Sequence, residues 1–159
     1  MNLDRVLLIS FGFFTLFTSY RTCQNITPKI MQDLGQGNLG FTNLALVYGS
    51  FSFFSLLSVP INRKLGHKMS LFLAPLLYAL WAFAFMMPAY RHQNKLTLSK
   101  EELEVGWLSD KSIMIISLGS AFLIGVGAGP LWVSMNCYMA ECSTHFNKGR
   151  FTSLFFGIF

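Results

Sequence analysis

Charge is scarce in this sequence. Of its 159 residues only 12% are Asp, Glu, Lys or Arg, where a soluble domain commonly carries about 25%. The seven acidic residues are outnumbered by 17 phenylalanines, and 53% of the chain is hydrophobic. A water-soluble globule of ~150 residues leaves roughly a third of its unfolded surface exposed, so it could not hide this much apolar area. Soluble enzyme, disordered regulator and nucleic-acid module are therefore poor readings. The net charge of +5 does not reopen the last of these. The basic residues fall in short clusters between apolar runs, not on one amphipathic face. Cysteine is sparse too. Cys23, Cys137 and Cys142 are odd in number and lack metal-ligand spacing, which reads as reduced, packed thiols. Missing as well are a glycine-rich phosphate loop, a nucleophile elbow and a pair of catalytic carboxylates. His67, His92 and His145 stand in separate segments, and Glu101, Glu102 and Glu104 read as a solvated loop. The sequence thus predicts no enzyme, no cofactor, no metal site and no nucleic-acid partner. Its first partner is the lipid bilayer.

What is present is a series of long apolar runs. A spanning helix needs ~20 mostly apolar residues to cross a hydrocarbon core of ~30 Å. Four stretches qualify, at about 6–25, 44–61, 70–90 and 112–139. Backbone groups in lipid must be bonded internally, which favours helices, and the phenylalanines lack the two-residue alternation of a barrel strand. The first run has no small-x-small cleavage pattern, so it reads as a retained helix. Residues 27–42, with Pro28, Gly35, Gly37 and Gly40, predict a turn-rich link. Residues 62–69 predict a tight basic turn, and 91–111 a long link of mixed charge. A fifth apolar segment, about 150–159, is helical for only ~15 Å, half a membrane. The expected architecture is an all-α polytopic membrane protein with residues 1–159 as a partial N-terminal transmembrane domain, four spans and the start of a fifth.

Orientation rests on the basic residues. The turn carrying Arg63, Lys64, Gly66 and Lys68 abuts two helix ends, the kind of short dense loop that weighs most in the positive-inside rule. It predicts a cytoplasmic turn and a cytoplasmic N-terminus. Gly66 suits the left-handed backbone of a tight turn. In the fourth run Ala121, Gly125 and Gly129 recur every four residues, a small-residue face on which helices pack closely, and Pro130 can kink the helix. In the first run Thr15, Thr18, Thr22 and Asn25 form a polar stripe, with Arg21 and Gln24 beside it. Such groups at membrane depth face a bundle interior or a watery cavity, and Asn136 could face the same interior. For Arg21 a second reading stays open, that it snorkels to the outer interface.

These residues carry a family resemblance. Leu8-Ile9-Ser10-Phe11-Gly12-Phe13, Phe17-Thr18-Ser19-Tyr20 and Gln24 resemble the opening helix of the Unc-93 family of ion channel regulatory proteins. Tyr48-Gly49-Ser50, Leu65-Gly66-His67-Lys68 and Gly125-Val126-Gly127-Ala128-Gly129-Pro130-Leu131-Trp132 fit the same pattern, as do Asn136 to Met139 and Phe155 to Phe159. The resemblance implies a major-facilitator-like bundle of about twelve helices, of which this chain would supply four and part of a fifth. It also implies that the first and fourth helices line a central cavity. In major facilitator proteins the loop after the second helix carries an acidic residue where this chain has Arg63. The implied function is modulation or escort of another membrane protein, such as a potassium channel or a receptor. Transport of a small solute is the alternative, and a split or remnant subunit of a membrane assembly a further one.

Overall fold

The computed structural model describes residues 2–94, 109–144 and 146–159, and the described residues are helices joined by short turns, with no strand. Lys95, Lys100, Glu101, Glu102, Glu104 and His145 lie outside the described residues. The helices are α1 (Leu3–Asp33), α2 (Leu39–Leu65), α3 (His67–Ala84), α4 (Met86–Asn94), α5 (Asp110–Cys142) and α6 (Lys148–Ile158). Four segments are long and apolar enough to cross a membrane: Leu3–Asp33, Leu39–Leu65, His67–Arg91 and Asp110–Cys142. The chain is an all-α polytopic membrane protein. Its outward faces suit lipid, with Leu56 81% and Leu8 75% exposed.

The helices run further than hydropathy suggests, and each extension has a local cause. Proline at position 28 points to a stop, yet α1 continues through it to Asp33. Its end is set instead by Gly35 at φ 80°. There the Gln36 N–H donates to Met31 O and the Gly35 N–H to Gln32 O, both at 2.9 Å. This paired capping consumes two orphan carbonyls of the last turn. The expected link over 27–42 is thereby reduced to five residues. Pro28 lies against Gly40, where an added Cβ would stand 2.6 Å from Pro28 Cα. The basic turn contracts likewise. Only Gly66 separates α2 from α3, at φ 79° and ψ 150°, a region that only glycine adopts at low cost. The third span breaks at Phe85 into α3 and α4. Ser109 caps α5, its hydroxyl accepting from the Ser112 N–H at 3.2 Å.

Short turns make α1, α2 and α3 alternate in direction. The Asn2 side chain donates to Cys142 O at 3.1 Å, so the start of α1 and the end of α5 share one end of the bundle. At the other end Asp110 accepts from Gln36 at 2.7 Å and pairs with Arg91. Helix α5 is the axle, packed most extensively on α2 and then on α3. Its glycines permit this. A Cβ on Gly125 would lie 1.8 Å from Ser50 Oγ and 2.8 Å from Phe51 N, and one on Gly129 would lie 2.8 Å from the Phe54 and Ser55 backbone. Gly127 turns to α3, 2.8 Å from Leu77 Cδ1 by the same measure. Two buried asparagines of α2 complete the joint. Asn43 donates to Ser117 O at 2.8 Å and accepts from Trp81 Nε1 at 3.3 Å. Asn62 donates to Pro130 O at 3.1 Å and accepts from the Ser70 hydroxyl at 2.6 Å.

Candidate functional site

The polar stripe of α1 is divided by the fold. Thr18, Arg21, Thr22 and Asn25 line one groove of about 460 Å³, closed at one side by Phe159. Thr15 instead lines a separate cavity of about 260 Å³ with Ser19, Pro75 and Tyr78. Helical geometry alone puts all four polar residues on one side, but the packing of α3 separates the first from the others. Two of the threonines satisfy themselves within the helix: Thr15 donates to Phe11 O and Thr22 to Thr18 O, each at 2.9 Å. Asn136 sits elsewhere, exposed, its amide donating to Trp132 O at 3.0 Å.

Arg21 is the residue around which the site is built. Besides the polar groove it lines a second, more enclosed cavity of about 300 Å³, walled by Phe17, Tyr20, Tyr48, Tyr78 and Trp132. These residues come from α1, α2, α3 and α5, and the rings of Phe17, Tyr20, Tyr78 and Trp132 pack edge to face or tilted. Phe17 and Trp132 have centroids 5.3 Å apart, and Tyr20 and Tyr78 5.2 Å. Arg21 Nη1 donates to Gln24 Oε1 at 3.0 Å and to the Tyr48 hydroxyl at 3.3 Å, while Gln24 Nε2 donates to that same hydroxyl at 2.5 Å. Gln24 is buried and Tyr48 is not. The triangle holds the guanidinium in place with neutral groups only.

The longer α1 changes how Arg21 is read. Twelve residues of helix follow it, about 18 Å of rise, and its guanidinium stops at Gln24 and Tyr48. Among the described residues the acids are Asp4, Asp33, Asp110 and Glu141, each in the first or last turn of its helix. None of them shares the depth of Arg21. Tyr20 and Tyr78 escape an analysis of polar stripes because they read as core aromatics. The signal that could have found them is the hydroxyl, which needs a polar neighbour when buried.

The remaining predicted residues serve packing and the bundle end. Ala121, Gly125, Gly129 and Pro130 are all buried on α5, the two glycines facing α2. Arg63, Lys64 and Lys68 are exposed around Gly66. Lys68 shares the rim of a groove of about 490 Å³ with Arg5 and Tyr138. Cys23, Cys137 and Cys142 are free thiols. Among the described residues no group of His, Cys, Asp or Glu could hold a metal ion.

Comparison with known proteins gives a consistent picture. Residues 31–92, from the end of α1 through α4, match the family described as ion channel regulatory protein UNC-93. The chain is 26% identical over 160 residues to UNC93-like protein MFSD11 of Xenopus laevis, covering 99% of this chain and 31% of that protein. It is 26% identical over 165 residues to protein unc-93 homolog A of Danio rerio, covering 99% and 30% respectively. The Homo sapiens unc-93 homolog A matches at 26% identity over the same shares. The chain thus spans about a third of the length of the curated relatives it matches. No solved structure matches it.

Proposed function

The chain is Unc-93-like along its whole length, and on that ground we propose that it acts as an integral membrane regulator of another membrane protein, an ion channel or a receptor. The observation that carries this reading is the match to an ion channel regulatory family over residues 31–92. That stretch contains Gly40, the Gly66 turn and both buried asparagines of α2, parts that set how the helices meet. Arg63, standing where transporters of the major facilitator type carry an acidic loop residue, supports regulation over active transport. The regulator works from within the bilayer, with its N-terminus and the Arg63–Lys68 turn on the cytoplasmic side and its exposed apolar faces available to partner helices. Residues 1–159 serve in this reading as the N-terminal part of a transmembrane domain.

Purification in gentle detergent followed by mass spectrometry tests the proposal. A channel or receptor is expected in near-stoichiometric amount, recovered again when the partner is the bait. Coexpression should change the current or the surface level of that partner. Recovery of lipid alone, with no membrane protein in either direction, overturns the proposal.

A further inference from the structure

Arg21 presents an unusual electrostatic situation. It is a permanent cation on an exposed flank of α1, twelve residues before the end of that helix, and its hydrogen-bond partners Gln24 and Tyr48 carry no charge. The described acids all stand at helix ends, the nearest along α1 being Asp33, about 18 Å away by helical rise. The described residues form a salt bridge only at Arg91 and Asp110. A charge at membrane depth is costly unless paired or wetted, and such a residue marks a binding or conduction path by default. The cavity beside it is a partly open pocket of about 300 Å³, the low end of the range for small-ligand pockets. Its wall is aromatic, with one cationic group and the Tyr48 hydroxyl converging on it.

We propose that this cavity binds a small organic anion, a carboxylate with a flat or branched apolar body. The carboxylate pairs with the Arg21 guanidinium, which can donate two parallel hydrogen bonds to it. Gln24 and Tyr48 orient the guanidinium, and the apolar body lies among Phe17, Tyr78 and Trp132. The polar groove of Thr18, Thr22 and Asn25 opens onto the other flank of Arg21 and supplies a wet approach for a charged ligand. This site is separate from partner regulation, so either assignment can fail while the other stands.

Benzoate is the probe, with benzamide as its uncharged counterpart and chloride as a plain counter-ion. The full chain in detergent is expected to gain about 2–4 °C in Tm with saturating benzoate, with no comparable gain from benzamide or chloride. Benzoate should also change the emission of Trp132, a change lost in Trp132→Phe while the Tm gain persists. Arg21→Gln should weaken benzoate binding at least about tenfold. The unliganded Tm of that variant should hold or rise, because an unpaired charge has been removed. A merely structural Arg21 predicts the reverse, a lower unliganded Tm. The proposal is overturned by equal stabilisation from benzamide or chloride, by undiminished binding in Arg21→Gln, by a Tm loss in unliganded Arg21→Gln, or by no response of wild type. Should Arg21→Gln not fold, an unaltered Trp132 emission in wild type overturns it as well.

Discussion

At the scale of single residues, close backbone approach sets the strongest constraint. Gly129 sits where an added Cβ would meet the Phe54 and Ser55 backbone at 2.8 Å, whereas Gly119, on the same helix, has nothing within 4 Å of that position. Backbone cannot swing aside as a side chain can. Gly129→Ala should therefore destabilise the α2–α5 joint by about 1–3 kcal/mol, and Gly119→Ala should be neutral or slightly stabilising through helix propensity. Thermal unfolding of the two variants in the same detergent checks the contrast. The four-residue spacing of Ala121, Gly125 and Gly129 was readable as a packing face. That Gly127 serves a different neighbour, Leu77 of α3, was not, because a third helix has to be placed before its side chains can be assigned.

Among the elements, turns rather than spans decide the geometry. The α2–α3 connection is one residue long, and the Gly66 N–H donates to Asn62 O at 2.9 Å. Any Cβ at φ 79° and ψ 150° strains the backbone. Gly66→Ala should cost about 1–3 kcal/mol although it touches no neighbour within 4 Å. A Gly66→Ala chain unfolding at the wild-type temperature would contradict the assigned backbone. Sequence reasoning marked this glycine correctly but spread the turn over eight residues. Arg63, Lys64 and Lys68 fall inside that expected turn, yet charged side chains at a helix end extend into water without leaving the helix. Pro28 misled in the opposite direction. A proline interrupts hydrogen bonding locally, yet transmembrane helices tolerate one when neighbouring groups and packing compensate, and here Gly40 of α2 lets the two helices touch at that point.

For the whole molecule, alternation of the helices gathers Arg5, Arg63, Lys64, Lys68, Lys148 and Arg150 at one end. On sequence alone these six are matched by six on the other side, Arg21 among them. The short dense turn of Arg63, Lys64 and Lys68, which abuts two helix ends, carries the expectation that this end is cytoplasmic. In a chain with Cys23, Cys137 and Cys142 replaced, a cysteine probe at Lys111 should react with an impermeant thiol reagent on intact cells. A probe at Lys64 should react only after permeabilisation. The reverse pattern would place the N-terminus outside.

The sequence by itself determined the solvent of this protein and the number of its long spans. Both follow from composition and run length, and a bilayer imposes them on any chain with so little charge and so many apolar residues. It also set Arg21 and Gln24 beside a polar stripe in the first span. Only the tertiary structure decided where the helices end, since the Gly35 cap and the Pro28–Gly40 contact outweigh hydropathy there. It alone brought Tyr48, Tyr78 and Trp132 around Arg21 while sending Thr15 to another cavity and leaving Asn136 exposed and apart from them. These residues are far apart in the chain, and their meeting depends on how deeply α5 settles between α2 and α3. That depth is fixed by the absence of Cβ atoms at Gly125, Gly127 and Gly129, a contact between helices that no single helix pattern contains.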